Sequence, residues 1–279
     1  MRYGVILTGG GPMADPERVI RAARKADALG FHSLWLYERV AFPSRPSETY
    51  GKLPFTPETK FLAPVTTLAY LAAETRQILL GTGILLLALR HPLHVAKEMA
   101  TLDVLSNGRA ILGVGLGWLT EEFDALGIPF RERAGRVRES VEVLRKIWAG
   151  GKLEYRRRYY SFSEVTSYPQ PVQPGGPPIW FGGTVDKALR RAAELGDGWL
   201  GRSGRPDNVE RWIATVRQRA KELGKDHFTI AVTAAPEITR EEADRFAQMG
   251  VHLINLSFAS GETEEIEQKM EAAAKRLFG

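Results

Sequence analysis

The 279-residue sequence contains no cysteine. This absence excludes disulfide bonds, thiolate nucleophiles and metal sites built on cysteine ligands. It fits a cytoplasmic protein, which is the location we expect. Long apolar runs are also missing, since the longest candidate, Ile78–Leu89, is interrupted by Gly81 and Gly83 and is too short to cross a bilayer. We expect neither a membrane span nor a signal peptide, because an apolar strand begins within the first few residues.

Histidine is scarce, with five residues in the whole chain. His91 and His94 have the spacing of helical metal ligands, but no carboxylate or cysteine nearby completes a ligand set. His91 followed by Pro92 is more typical of a helix start. The other histidines are isolated in the sequence, and no hydrolytic triad can be assembled with a serine. We therefore expect no metal site.

Basic residues exceed acidic ones, 38 against 33, which gives a formal charge of +5. Such a balance suits an anionic ligand or a nucleic acid. The basic residues are spread along the predicted helices, however, and the single compact run, Arg156–Arg158, is typical of a solvated loop. We expect a small-molecule substrate as the partner, and neither nucleic acid nor membrane.

Short apolar runs alternate with amphipathic stretches along the chain. Eight runs have strand character: Tyr3–Leu7, Ser33–Tyr37, Ile78–Leu87, Ala110–Val114, Pro178–Phe181, Gly198–Gly201, Phe228–Thr233 and Val251–Ser257. Runs that are apolar on both faces indicate a parallel sheet covered by helices. Eight strand–helix units predict an α/β fold, a (β/α)8 TIM barrel forming one domain over residues 1–279. An open doubly wound sheet is the alternative.

Two connections are unusually long for a compact domain. Val40–Pro64 follows the second strand, and Gly150–Pro177 precedes the fifth. Because the first follows a strand's carboxyl end, it lies on the face of the barrel that carries active sites. We expect that this segment could act as a lid.

Glycines mark three of the predicted strand ends, where barrel enzymes carry their chemistry. The third strand contains Gly81 and Gly83, which indicate a bulge or the close approach of a ligand. The turn from Gly113 to Trp118 would serve equally as a tight turn or as a backbone cradle for an anion or a planar ring. Gly182, Gly183 and Thr184 lead into a helix, which favours a phosphate site.

Charged and aromatic side chains are few at these ends. Glu38 and Arg39 follow the second strand, where a simple ion pair or rim charges are favoured over catalysis. Glu38 is a weak catalytic candidate. Trp35 and Trp180 are expected to pack in the barrel, whereas Trp118 lies where a flat ring could stack on a ligand.

Taken in order, several segments resemble the luciferase-like monooxygenase superfamily, particularly its branch that depends on the deazaflavin coenzyme F420. The resemblance covers nearly the whole chain. The segments that carry it are Ala28–Trp35, Leu80–Ile84, Leu89–Pro92, Ala100–Arg109, Leu112–Trp118, Glu121–Phe123, Pro177–Gly183 and Gly196–Trp199.

The resemblance implies a barrel interrupted by an insertion, a homodimer, and a cofactor ring at the carboxyl ends of the strands. The ring would lie against a bulge with a cis peptide between Gly83 and Ile84. The other residues that the resemblance and the strand-end positions place at the cofactor are Glu38, Leu116, Gly117, Trp118, Glu121, Gly182, Gly183 and Thr184. The cofactor expected is coenzyme F420, with FMN as the alternative.

Two positions depart from the sugar-phosphate dehydrogenase branch of that family. Arg39 stands where that branch has a catalytic histidine, and Trp118 where it has a catalytic carboxylate. A guanidinium stays charged and cannot act as a general base. The expected function is therefore another oxidoreductase, one that transfers a hydride or activates oxygen on an unidentified substrate. A phosphate-handling isomerase or lyase and a non-catalytic flavin-binding protein are the alternatives.

Overall fold

The computed structural model describes residues 1–44, 55–258 and 261–278. The strands are β1 Arg2–Thr8, β2 Ser33–Leu36, β3 Leu79–Thr82, β4 Leu85–Leu86, β5 Ala110–Gly115, β6 Leu153–Arg156, β7 Ser161–Val165, β8 Ile179–Gly182, β9 Gly198–Gly201, β10 Thr229–Ala234 and β11 Leu253–Ser257. The α-helices are α1 Pro16–Ala28, α2 Pro64–Glu74, α3 Pro92–Leu105, α4 Thr120–Ala125, α5 Arg133–Trp148, α6 Asp186–Leu195, α7 Pro206–Glu222, α8 Arg240–Gln248 and α9 Thr263–Phe278.

The main sheet is parallel throughout and closed. Its strands follow the order β3, β2, β1, β11, β10, β9, β8, β5, with β4 beside β5. Pairing of β3 with β5, through Leu80–Ala110 and Gly81–Ile111, joins the two ends of this order. With β3 and β4 as the two parts of one strand, the sheet is the eight-stranded TIM barrel that the sequence predicts.

The third barrel strand is broken in two. One continuous strand was expected over Ile78–Leu87, but Gly83 and Ile84 separate β3 from β4, and Leu87 begins a turn of 3-10 helix. The peptide bond between Gly83 and Ile84 is cis, as the resemblance implies. The break directs Ile84 away from the regular strand and places it at the carboxyl-terminal end of the barrel.

Three elements in or beside the long connections were not foreseen, one helix and two strands. Helix α2 starts at Pro64, and its residues are apolar or small on most sides, so it has no clear amphipathic pattern. The Gly150–Pro177 insertion contains β6 and β7, which pair as an antiparallel hairpin outside the barrel. Of the expected lid, residues 45–54 lie outside the described part of the chain.

Several predicted helix starts are confirmed. The Asp15 carboxylate accepts a hydrogen bond of 3.0 Å from the Arg18 N–H, and Pro16 opens the helix. Thr239 and Glu242 form the expected capping box before α8. His91 caps α3. No helix in residues 1–44, 55–258 or 261–278 has the length and apolarity needed to span a membrane.

The interior of the barrel is filled by two tryptophans, as expected. The rings of Trp35 and Trp180 lie with their centroids 5.3 Å apart, and both side chains are buried. Neighbouring strands make room for them with glycine, because a Cβ on Gly81 would overlap the Trp35 ring and one on Gly198 would press on Trp180. The barrel is thus packed below its upper end, and any ligand must bind above these rings.

Candidate functional site

A cavity of about 420 Å³ opens above the tryptophan pair, at the carboxyl ends of the barrel strands. Its volume lies in the range of small-molecule sites. The residues that line it come from strands all round the barrel: Ile6, Trp35, Tyr37, Glu38, Arg39, Phe55, Phe61, Gly83, Ile84, Leu86, Gly117, Trp118, Gly182, Gly183, Leu200, Gly201, Arg202, Thr233 and Asn255. Phe55 and Phe61 belong to the segment expected to act as a lid, and the centroids of their rings lie 4.8 Å apart.

One half of the cavity wall is largely backbone. Gly83, Gly117, Gly182 and Gly183 present main chain there, with Ile84 as the principal side chain between them. Gly117 and Gly183 have positive φ angles of 79° and 111°, which side-chain-bearing residues rarely adopt. Glycine therefore gives this half a flat wall that a planar ligand can approach closely.

Ile84 fits into space that two other glycines leave free. A Cβ on Gly115 would overlap the Ile84 Cδ1, and a Cβ on Gly182 would lie 3.2 Å from the Ile84 Cγ2. The side chain is therefore held between the ends of β5 and β8. Gly183 is fixed as well, because its carbonyl accepts a hydrogen bond of 2.8 Å from the Trp199 Nε1.

The other half of the wall is made of polar side chains. Tyr37, Arg202, Thr233 and Asn255 come from the ends of β2, β9, β10 and β11. Burial raises the pKa of the Tyr37 phenol, so this hydroxyl stays protonated at neutral pH and can donate a hydrogen bond. The Asn255 Oδ1 is buried without a hydrogen-bond partner in the described part of the chain. This half offers a donor at Tyr37 and an unpaired acceptor at Asn255, and the glycine half has neither.

Glu38 is held by residues that follow it in the chain. Its carboxylate accepts hydrogen bonds from the Arg90 guanidinium, with Nε at 3.1 Å, and from the Leu86 N–H. The side chain is almost fully buried. Glu38 thereby anchors the segment after the Gly83–Ile84 break, and its proposed role as a weak catalytic candidate stays a prediction.

Arg39 pairs with Glu122, so the structure does not join Glu38 and Arg39 to each other. The Arg39 Nη1 lies 2.5 Å from the Glu122 Oε2, and the two side chains are 11% and 1% exposed. Glu122 also accepts hydrogen bonds from the Val40 and Ala41 N–H groups, at 2.9 and 3.3 Å. The Arg39 guanidinium lies 5.2 Å from the centre of the Trp118 ring. Trp118 thus contacts a cation of the chain as well as the cavity.

Seven of the ten predicted cofactor residues line this one cavity: Glu38, Gly83, Ile84, Gly117, Trp118, Gly182 and Gly183. Leu116, Glu121 and Thr184 do not. Leu116 packs against the hydrophobic core instead. Thr184 is half-buried and precedes α6, whose first residue, Asp186, pairs with Arg190 at 2.7 Å. A carboxylate at that helix start opposes an anion, so a phosphate would depend on the Gly182 and Gly183 backbone.

Four polar cavity residues escaped the sequence-based interpretation: Tyr37, Arg202, Thr233 and Asn255. The sequence does contain part of the information needed to find them, because side chains alternate between the two faces of a strand. Arg202 follows Leu200, and Asn255 follows Leu253, at the two-residue spacing that keeps one direction. Only closure of the barrel, however, shows that this direction is inward. No group of acidic or histidine side chains suited to a metal occurs in the described ranges.

Known proteins resemble the chain over most of its length. The family model described as luciferase-like monooxygenase matches residues 1–278. An uncharacterised protein of Mycobacterium tuberculosis is 32% identical over 255 residues, which cover 88% of this chain and 86% of that protein. The F420-dependent glucose-6-phosphate dehydrogenase of Kineococcus radiotolerans is 31% identical over 233 residues, or 81% and 65% of the two chains.

Solved structures share the fold. A monooxygenase from Streptomyces bottropensis superposes with a TM-score of 0.82 at 24% identity, covering 100% of this chain and 99% of its own. A Type II Baeyer–Villiger monooxygenase from Pseudomonas putida, solved in complex with FMN, has a TM-score of 0.69 at 21% identity and covers 89% and 71%.

The fold is a TIM barrel with a cavity of small-molecule size at the carboxyl ends of its strands. The chain belongs to the luciferase-like monooxygenase family, as its resemblance predicts. An F420-dependent dehydrogenase is among its relatives, and a monooxygenase solved with FMN shares its fold.

Proposed function

We propose that this protein is an oxidoreductase that binds coenzyme F420 in the cavity and acts on a small organic substrate. The observation that carries the proposal is the glycine-lined half of the cavity wall. Gly83, Gly117 and Gly182 leave main chain exposed to the cavity, and Ile84 gives that wall an apolar surface. A planar tricyclic ring needs a close, flat and apolar wall of this kind.

The division of the wall fits a two-ligand site. A ring against Ile84 would leave its other face toward Tyr37 and Asn255, where a substrate would find a hydrogen-bond donor and an acceptor. The phosphate of the cofactor would meet the backbone at Gly182 and Gly183. When bound, a deazaflavin or flavin supplies hydride exchange at its ring. The chain's own part is to position the two ligands, exclude water and provide a neutral phenol at Tyr37 that can donate a hydrogen bond.

The choice of F420 is supported by the Kineococcus relative, which is named as F420-dependent. FMN is the alternative, supported by the shared fold of the Pseudomonas monooxygenase that holds it. We do not extend glucose-6-phosphate oxidation to this chain. Arg39 stands where the resemblance places the catalytic histidine of that activity, and its pairing with Glu122 leaves it no way to accept a proton.

Spectroscopy with the purified protein tests the proposal. Coenzyme F420 and FMN are titrated separately while visible absorbance and cofactor fluorescence are followed, and the bound cofactor is then exposed to a panel of electron donors and acceptors. We expect saturable binding of F420 and redox turnover with at least one compound. Binding of neither cofactor would contradict the proposal. Binding without turnover would favour a non-catalytic flavin-binding protein.

We also propose that the protein is a homodimer, which its family resemblance supports. Light scattering during size-exclusion chromatography tests this directly. A dimer has twice the chain mass of 31.0 kDa. Elution at the mass of a single chain over the working concentration range would contradict it.

A further inference from the structure

Three charged side chains line the cavity, namely Glu38, Arg39 and Arg202. The acidic one is bound by the protein itself, because its carboxylate accepts two hydrogen bonds from Arg90 and one from the Leu86 N–H. Arg90 also neutralises its charge. Arg39 shares its charge with Glu122 in the same way, so among these three the unpaired charge in the described part of the chain is the cation Arg202.

Arg39 follows the end of β2, and its guanidinium is held in a fixed position. Glu122 engages its Nη1, and the Trp118 ring lies beside the guanidinium. The Nε is buried without a hydrogen-bond partner among the described residues. A guanidinium has five N–H donors, and Glu122 occupies the Nη1 side only. One Glu122 oxygen accepts from the Arg39 Nη1, and the other accepts from the Val40 and Ala41 N–H groups. The remaining N–H groups of Arg39 are therefore able to bind a further acceptor.

Arg202 lies at the end of β9, on the side-chain half of the wall. It is exposed and makes no ion pair within 4.0 Å in the part of the chain that the structure describes. No carboxylate of the protein thus competes for it. A carboxylate ligand could pair with its planar guanidinium through two parallel hydrogen bonds.

We infer that the substrate carries a carboxylate, which Arg39 and Arg202 bind from opposite sides of the cavity, at the ends of β2 and β9. The inference rests on the proposed function, since it assigns a substrate class to the same site. It gives the cavity's two halves different ligands. The backbone half holds the cofactor ring, and the two guanidinium groups select an anionic substrate and fix its orientation toward that ring.

The test measures binding of three carboxylates, namely acetate, benzoate and cinnamate, against their uncharged amides. Isothermal titration calorimetry is run on the protein with and without bound cofactor. We expect at least one carboxylate to bind about tenfold or more tightly than its amide. Arg202→Met and Arg39→Met should each remove most of that preference. Arg205→Met is the matched control, because Arg205 is exposed close by in sequence and does not line the cavity.

Folding and cofactor binding are followed in parallel. Arg202 makes no ion pair within the described ranges, so Arg202→Met should unfold at the wild-type temperature, which keeps the test valid even where Arg39→Met is destabilised. If no carboxylate binds more tightly than its amide, the inference is overturned. It is also overturned if the arginine variants weaken the binding of FMN but not of riboflavin, or of F420 but not of its chromophore lacking the anionic tail. Either result would mean that the two arginines bind the anionic part of the cofactor. Failure of both cofactors to bind overturns the proposed function alone, because the carboxylate preference is measured without cofactor too.

Discussion

Ile84 occupies the space that a side chain on Gly115 would need, since a Cβ on Gly115 would overlap the Ile84 Cδ1. The two residues lie on different strands, and their fit places Ile84 at the cavity wall. The shape of the cofactor side of the cavity therefore depends on a glycine that does not itself line it.

Gly115→Ala should displace Ile84 and weaken cofactor binding about tenfold or more, because overpacking forces neighbouring side chains out of place. Ile84→Val removes the Cδ1 that would clash, so the double variant should regain most of the lost affinity. Fluorescence titration of the cofactor into the wild type, both single variants and the double variant gives the coupling free energy between the two substitutions. Strictly additive losses would show that the contact does not shape the site.

The Arg39–Glu122 pair should matter for stability, because both partners are largely buried. Glu122→Ala leaves a buried guanidinium without its partner and two loop N–H groups without their acceptor, which should cost about 3 kcal/mol of unfolding free energy. Urea denaturation measures this. Glu154→Ala is the control, since its pair with Arg156 is exposed and should contribute less than about 1 kcal/mol. Equal losses in the two variants would contradict a role for burial.

Arg109 should not be replaceable by lysine. Its five N–H donors make five hydrogen bonds, to the Thr75 Oγ1 and to the carbonyl oxygens of Ala72, Thr75, Ile78 and Ser106. A lysine ammonium has three donors at one point and cannot span these acceptors, so Arg109→Lys should cost about 3 kcal/mol. Urea denaturation beside the exposed control Arg211→Lys measures the difference. A loss no larger than that of the control would show that water replaces these bonds.

Acid should destabilise the protein through His32. Burial, and secondarily the charge of Arg2, lowers the pKa of His32 from 6.5 to about 4. The unfolded chain therefore binds a proton that the folded chain refuses, so this contribution to stability is complete above pH 6.5 and is lost as the pH falls toward 4. His32→Gln should flatten the dependence of the unfolding temperature on pH in that window. An unchanged slope would place the acid sensitivity elsewhere.

Much of the fold was predictable because its signals are local. Asp15 before Pro16, and Thr239 before Glu242, mark helix starts through contacts within one turn. The break at Gly83 was indicated by glycine within an apolar strand. Helix α2 was missed because an element that is apolar on most sides lacks a periodic pattern.

The candidate site was predictable on its backbone side and much less on its side-chain side. Glycines at Gly83, Gly117 and Gly182 are visible in the sequence, and the φ of 79° at Gly117 restricts residue type there. Arg39 and Glu122 are 83 positions apart, and nothing local indicates that they pair. Asn255 is an ordinary polar residue in its strand, and only the closed barrel turns it toward the cavity.

The central claim is that the glycine wall holds the cofactor, and one pair of variants tests it most directly. Gly182→Asp and Gly182→Asn place side chains of nearly equal size at the same point of the cavity, and their dissociation constants for F420 and FMN are compared. If the cofactor phosphate lies beside Gly182, Asp should bind the cofactor about tenfold or more weakly than Asn, because only Asp adds a like charge. Wild-type affinity in both variants would contradict the account.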